Sequence, residues 1–415
     1  MRHYTSADAS IQTLLRNGIT ITPQANYSGQ LEDYPGETYG DDSASLGLSL
    51  EIPLLQGLGP NNQFAASERA AGFNLKAAKA SYDFIVSQQI YNTVSVYWNL
   101  LLAQTNVRIA LSQEEGARRL VGITEALIQG YVQPAAQLAQ AKANLEQYTS
   151  QRISAELQQS TASQQLGVAM GFSPGELLAE PLAINSFPKP SASRLFEIAD
   201  ARPLIDLAMK LRPDIQAGID SMAANKILLA GAKNAALPTV DLILGGGYQV
   251  ARITQTTQSS TAKDSQGGWF VGGGFNMSYP IFNNAAKGEV VQQESQLRQS
   301  QTQVSLTETQ VASDVITALK SVIMTRKSLE EAIASAQNER ISVKAQEELF
   351  SMGMASLVEV ITTQNNLATA ELSVATNLSN HAIALASLRF ATGTLTPEGM
   401  ATTFQTIPGF QSKSN

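Results

Sequence analysis

Cysteine is absent from the 415 residues, which excludes disulfide staples, thiolate zinc sites, iron–sulfur ligation and cysteine nucleophiles. Histidine is almost as scarce: His3 and His381 are the two copies, and they sit at no metal-ligand spacing. Charged residues make up 15%, against about 25% in an ordinary soluble domain. Their place is taken by Ala, Gln, Ser, Thr and Asn. Disorder goes with low hydrophobicity and high net charge, whereas this chain is 43% hydrophobic with a net charge of −7, so its interior is organised. No Lys/Arg run is present, and the acidic balance argues against nucleic acid as a partner. No stretch of about twenty apolar residues exists to make a transmembrane helix. Nor is Met1-Arg2-His3-Tyr4-Thr5 followed by a signal-like apolar segment. Gly245-Gly246-Gly247 and Gly272-Gly273-Gly274 match neither a P-loop nor a Gly-x-Gly-x-x-Gly turn. No enzyme, cofactor or metal site emerges.

What is present is an internal repeat. Each half holds two alternating segments, then a very long helical run, a Gly-containing break and a second helical run. Pro23 pairs with Pro238, Ile52-Pro53-Leu54-Leu55 with Tyr279-Pro280-Ile281-Phe282, and Gly130 with Gly353 at the helix break. At an offset of 222 residues, Asn144-Leu145 pairs with Asn366-Leu367, Leu166 with Leu388 and Gly171 with Gly393. Pro174 and Pro397 follow. One pair means little in a chain of low complexity; the shared order of all of them is hard to obtain by chance.

The alternating segments have the period of strands with one apolar face. Ile21, Pro23, Ala25, Tyr27, Gly29 and Leu31 share one side of the first, opposite Thr22, Gln24, Asn26, Ser28 and Gln30. Leu46, Leu48, Leu50 and Ile52 mark the second, and Val240, Leu242 and Leu244 the third. Trp269, Val271, Phe275, Met277, Tyr279 and Ile281 mark the fourth. Lengths near ten residues suit a tilted membrane-spanning strand, although a half-buried strand of a soluble sandwich fits any one of them equally well. Residues 32–43 and 251–268 are turn-rich and polar, and are expected to be solvated loops. Tyr27, Tyr248, Trp269 and Tyr279 fall toward strand ends, where interfacial aromatics sit.

From about Asn61 to Leu127 there is no proline and little glycine, so roughly 65 helical residues would run on the order of 100 Å. Phe84, Tyr91 and Trp98 recur at sevens, with Val94 and Leu101 beside them, as in a coiled-coil seam. The pattern resumes to about Val168. The second copy runs from about Ala285 to Phe350, breaks at Ser351-Met352-Gly353 and continues to about Phe390. Ala77, Ala78 and Ala80, like Ala332, Ala334 and Ala336, allow close packing of these antiparallel hairpins. Four strands cannot close a barrel, and lipid tolerates no open edge, so several chains must contribute strands.

With these features in order, the chain resembles the TolC family of outer-membrane efflux and export channels over nearly its whole length. The most family-like passages are Leu211-Arg212-Pro213-Asp214-Ile215, Ala235-Ala236-Leu237-Pro238-Thr239-Val240-Asp241-Leu242 and Ser278-Tyr279-Pro280-Ile281-Phe282. Gly353-Met354-Ala355-Ser356-Leu357-Val358-Glu359-Val360 and Ala391-Thr392-Gly393-Thr394-Leu395 complete the set. The resemblance implies a mixed α/β membrane protein: a homotrimer whose four strands per chain form a twelve-stranded β-barrel in outer-membrane lipid, above a long α-helical coiled-coil tunnel through the periplasm. It implies docking to a periplasmic adaptor (membrane fusion) protein and an inner-membrane pump or ABC exporter, with drugs, metal ions, other small toxic molecules or polypeptides as cargo. No catalysis and no cofactor are implied.

Matching the family's break on Gly353 places a constriction aromatic at Phe350 and a first acidic position at Glu359. The second acidic position falls on Thr362 and a basic one on Ala355. One possible carboxylate ring is thus kept and the second is lost. A ring of Glu359 carboxylates in a narrow pore would favour cations; an exposed helix carboxylate is the plainer alternative. The tips, residues 128–134 and 350–356, are adaptor-contact candidates through Gly130, Gly353, Ala355 and Ser356, or simply turns. Gln133 and Gln137 are expected at the polar surface. Barrel positions are expected at Tyr27, Leu48, Leu242, Trp269, Phe275 and Tyr279.

The expected division is a first repeat over 1–186, with strands about 20–31 and 44–53 and a helical hairpin about 60–168. A second repeat covers 187–415, with a helix about 204–235, strands about 238–249 and 269–281, a hairpin about 284–390 and a polar tail after Pro397. Pro181, Pro188, Pro190 and Pro203 mark the crossover between them. The twenty-two residues before Pro23 are too few for the helix that precedes Pro238, so the first copy is expected to lack most of its opening helix and a signal peptide. His3 is expected at a frayed end. The rival reading is a structural or adaptor-type coiled-coil protein without a pore, which accounts for the helices but not for the recurring strand pairs.

Overall fold

The computed structural model describes residues 1–188, 197 and 200–396, so Pro190 and the tail from Pro397 lie outside the described residues. Two strands open the chain, β1 (Arg2–Ser10) and β2 (Thr13–Leu14). The first repeat contributes β3 (Thr20–Tyr34), β4 (Glu37–Pro53), α1 (Gln63–Gln129) and α2 (Ala136–Ala169). After α3 (Ala201–Leu211) and α4 (Pro213–Ala235) come β5 (Thr239–Thr257), β6 (Thr261–Ser278), α5 (Asn284–Ser351) and α6 (Leu357–Ala391). No helix among the described residues is long and apolar enough to cross a membrane.

Three expectations are corrected. Residues 32–43 and 251–268 are ladder, not loop: Tyr34 pairs with Glu37 and Thr256 with Thr261, leaving only tight turns. Polar composition misled there, because a hairpin bathed on both faces keeps its hydrogen bonds while losing its alternation. The helix expected over 204–235 is two helices, broken at Arg212, whose ψ of 120° is extended. Pro213 disfavours the helical conformation for the residue before it and supplies no N–H. Finally, His3 is not frayed but lies in β1, opposite Leu31 of β3.

The described chain forms two compact units, each drawn from both repeats. One takes Met1–Lys79 and Gln216–Ser305; the other takes Ala80–Ile215 and the chain from Leu306 on. The first carries a fully antiparallel sheet in the order β1-β3-β4-β5-β6, with β2 continuing the edge beside β3. At Gly247 a side chain would collide with the carbonyl oxygen of Leu46, so the close approach of β4 and β5 requires glycine.

The second unit has a conventional apolar interior. Leu204 and Ala208 of α3 pack with Val311, Val315 and Leu319 of α5 and Leu388 of α6. Val94, Trp98 and Leu101 of α1 meet Ala382 and Ala386 of α6, where the small residues allow close packing. Tyr91 stacks on Phe390 at 5.3 Å and Phe84 lies 5.8 Å from the same ring, so the residues spaced by sevens do face one seam. His381 is buried in α6 with Nδ1 3.2 Å from Thr325 Oγ1, and the described residues contain no acid or histidine cluster fit for a metal.

Candidate functional site

The sheet has two chemically distinct faces, and the register makes them continuous from strand to strand. Directly opposed residues share a face. One row runs Ala25, Leu46, Tyr248, Trp269; the next runs Pro23, Leu48, Gly246, Val271; another runs Ile52, Leu242, Phe275. The alternate rows are polar or bare: Asn26, Ser45, Gln249, Gly268 and Thr22, Ser49, Gly245, Gly272. Ile243, Ile253 and Phe270 are exceptions on this second face. Tyr27, Leu48, Leu242, Trp269 and Phe275 therefore share the apolar face, and Tyr279 follows directly beyond β6. These side chains are not a core. Trp269 is 83% exposed and Phe275 75%, in a contiguous exposed apolar patch of the kind that marks a membrane or partner surface. A hollow of about 440 Å³ on this face is lined by Ala25, Tyr27, Ala44, Leu46, Tyr248 and Val250.

The second candidate is the pair of helix tips, and here the structure sharpens the repeat. Both long helices end in the same motif. The N–H of Val132 donates to Leu127 O at 2.9 Å and that of Tyr131 to Ile128 O at 3.0 Å. In the second copy Met354 donates to Leu349 O at 2.9 Å and Gly353 to Phe350 O at 2.9 Å. This double bond pattern needs one residue in the left-handed region. It is Gly353 (φ 75°) in the second tip but Tyr131 (φ 60°) in the first. The repeat partner of Gly353 is thus Tyr131, not Gly130, and it obeys the 222-residue offset of the other pairs. Gly130 has an ordinary φ, and a Cβ there would meet nothing closer than 3.5 Å.

The two tips touch: a Cβ on Gly353 would lie 2.9 Å from Val132 Cγ1. Beneath them Phe350 is fully buried with Leu120, Ala141, Leu357 and Val360. The placement of its ring at a pore constriction is therefore corrected, because a side chain with no exposed surface cannot line water; it pins the end of α5 instead. Ser356 caps α6 and Glu359 completes a capping box. Ser356 Oγ accepts from Glu359 N at 3.2 Å, and a Glu359 carboxylate oxygen accepts from Ser356 N at 2.9 Å. The same oxygen accepts from Gln346 at 3.3 Å. The backbone N–H of Ser356, then its hydroxyl, hold the Glu359 carboxyl below its ordinary value, so it is ionised at neutral pH. Thr362 is exposed, its hydroxyl donating to Val358 O at 2.8 Å, and Ala355 is half-buried.

Sequence reasoning missed the most exposed tip residues. Tyr131 is 97% exposed, and Val132, Met352, Met354 and Val358 are also exposed. The available signal was apolar side chains inside a turn, where polar residues belong.

Two of the family-like passages away from the tips, Leu211–Ile215 and Ala391–Leu395, meet in one structural knot. Arg212, almost fully buried, pairs with Asp214 at 2.7 Å and Asp314 at 3.2 Å. Its guanidinium also lies 5.5 Å from the Phe84 ring and 5.7 Å from that of Phe390. Burial pulls its pKa down, but the two carboxylates outweigh that and hold it above the ordinary value. Gly393 (φ 70°) passes so close to Leu211 and Arg212 that a Cβ would sit about 3 Å from their backbone.

Comparison with known proteins agrees with this geometry. Residues 204–394 match the outer membrane efflux protein family. Protein CyaE of Bordetella pertussis is 25% identical over 244 residues, 57% of this chain and 49% of CyaE, so the match spans about half of that relative's length. Among solved structures, the outer-membrane channel OprN superposes with a TM-score of 0.70 at 16% identity, over 91% of this chain and 82% of OprN. The Campylobacter jejuni CmeC outer membrane channel gives 0.68 at 18% identity, over 95% of this chain and 78% of CmeC. The TolC-like channel fold thus extends over nearly the whole chain, and residues 204–394 carry the efflux-protein family's sequence pattern.

Proposed function

We propose that this protein is a passive outer-membrane exit channel, closed as a homotrimer and serving a tripartite efflux or type I secretion assembly. The observation that carries the reading is the sheet with one continuous, solvent-exposed apolar face and one polar, glycine-rich face. Such a surface is stable against lipid on one side and an aqueous lumen on the other, and four long strands reach closure only with other copies. The helical tips, with Gly353, Ala355 and Ser356 beside exposed Tyr131, Val132, Met352 and Met354, offer close approach and apolar contact to a periplasmic adaptor; Gly130 adds no steric requirement. An inner-membrane pump or ABC exporter supplies the energy and selects the cargo, whether small toxic molecules or polypeptides. The two-repeat division at 186/187 belongs to the same reading.

Glu359, ionised and exposed beside the tip, is proposed as the cation-selecting ring, with Thr362 in a neutral position one turn on. The test is single-channel conductance in planar bilayers with ion selectivity recorded together. Discrete, cation-preferring openings are expected, and Glu359→Gln lowers the cation/anion permeability ratio severalfold while glutamine still caps the helix. Absence of any openings would sink the pore and favour a coiled-coil protein without one.

A further inference from the structure

The two free edges of the sheet are unequal. β6 leaves its outer edge unpaired among the described residues, along 18 residues that are all exposed. β3, which would receive a neighbour's β6 in a closed ring, is already occupied. β1 pairs with it from Arg2↔Glu32 to Ser10↔Gln24, and β2 continues from Thr13↔Ile21 to Leu14↔Thr20. The seam is sealed at both ends, by Met1 on Asp33 O at 2.8 Å and by Leu15 N on Ile19 O at 2.9 Å. Virtually the whole edge of β3 is taken.

Strand direction decides whether that arrangement can persist. Each neighbour in the sheet is antiparallel, so β1 runs with β4 and β6, and β3 runs with β5. Closure of β6 onto the next copy's β3 is antiparallel. Closure of β6 onto the next copy's β1 would set two strands of the same direction side by side, a parallel seam at every junction. Single-chain bacterial outer-membrane barrels avoid this by keeping an even number of antiparallel strands. A five-strand protomer breaks the parity that a four-strand protomer keeps.

The hold of β1 is correspondingly light. Every residue of the strand is exposed. On the apolar side it presents only His3, Thr5, Ala7 and Ala9, where β6 presents Trp269, Val271, Phe275 and Met277. Beyond ladder bonds its side-chain fastening includes Arg2, which pairs with Glu32 at 2.8 Å and also meets Tyr34; Arg2 is largely in solvent, where such contacts contribute little. Yet the sidedness is right for a stand-in, since Ala7 and Ala9 point with Tyr27 and Ala25 while Asp8 points with Asn26.

We propose that β1 is a displaceable edge cap: it covers β3 in the unassembled chain, and β6 of a second copy takes its place when the ring closes. The partner is therefore another copy of this chain, and the interaction surface is the β3 edge. An uncapped edge is a template for indiscriminate strand addition, and a weak cap of matching sidedness guards it until the stronger strand arrives. The proposal rests on the oligomeric channel reading above.

The chain has no cysteine, so a disulfide can be introduced cleanly. The odd-numbered pairs of this seam carry the backbone bonds, as at Met1/Asp33 and Ile11/Pro23. Ser6↔Ser28 is therefore a non-hydrogen-bonded pair, with the short Cα spacing that a disulfide accepts. Ser6→Cys/Ser28→Cys is reconstituted into lipid in oxidised and reduced forms, with oligomeric state read by native mass spectrometry and pore formation by conductance. Asp33→Cys/Thr38→Cys, across the β3–β4 seam that every reading keeps, controls for the bond itself. The expected result is that oxidation of the β1–β3 pair abolishes trimers and at least nine-tenths of openings, that reduction restores both, and that the control is indifferent to oxidation. Locked chains that assemble and conduct like reduced ones would overturn the cap while leaving the channel intact. If the unaltered chain neither assembles nor conducts, the channel reading falls and the cap falls with it.

Discussion

The two helix tips are built on one plan and finished with different chemistry. Both close with the same pair of backbone bonds, and both need a left-handed residue at the same place. The second tip supplies Gly353 and then starts α6 with the Ser356–Glu359 box. The first supplies Tyr131, and α2 starts behind Ala135 with no side-chain cap and no acid in its first turn. A non-glycine residue in that region carries a cost on the order of 1 kcal/mol. The side chain that incurs it is almost wholly in solvent, so no burial in the protomer offsets the cost. The second tip is a well-made stop; the first is a less stable one that displays a tyrosine.

This contrast can be broken from either side. The largest effect is expected from Gly353→Ala, which adds left-handed strain and a Cβ 2.9 Å from Val132 Cγ1. About 1–2 kcal/mol of local stability should go, read as roughly five- to thirtyfold faster hydrogen exchange over residues 351–360. Ser356→Ala should cost about 1 kcal/mol and accelerate exchange at the start of α6 about fivefold, leaving α2 untouched. Unchanged exchange in either variant would show that the second tip does not depend on its better termination.

The smaller effects concern pH and the first tip. The folded Glu359 carboxyl titrates below its ordinary 4.5, so its stabilisation is complete above that value and is lost as pH falls through the folded value. Protection of the first turn of α6, corrected for intrinsic rates, should therefore fall in acid below about pH 4.5, whereas α2, which has no acid in its first turn, should show no matching step. Tyr131→Gly should slow exchange in the last turn of α1 by a few fold, because relief of strain is partly cancelled by the flexibility of glycine in the unfolded chain.

The tips also show what was legible in the residues. Gly353 stood out as a break because glycine is the usual answer to a left-handed position. Tyr131 did not, and the adjacent Gly130 drew the pairing one residue out of register. Alternation revealed the strands through Leu46, Leu48, Trp269 and Phe275, since only one of their faces is apolar. It could not reveal residues 32–34 and 37–43, where the cross-strand contacts beyond the ladder are polar or aromatic, such as Thr38 on Asp33 and Tyr34 against Tyr39, and leave no apolar alternation. β1 was hidden because its pairing with β3 uses main-chain groups that every residue possesses. Phe350 stood out as an aromatic just before the break, but a residue pattern does not tell whether an aromatic looks inward, as this one does, or toward water.

The ladder that continues to Tyr34↔Glu37 and Thr256↔Thr261 has a consequence for traffic. Both hairpins are bonded almost to their turns, and the links left over are too short to fold across an opening as a lid. On the channel reading the outer mouth is therefore a stiff collar with no slack. A lid folded from these turns is thereby excluded on that reading.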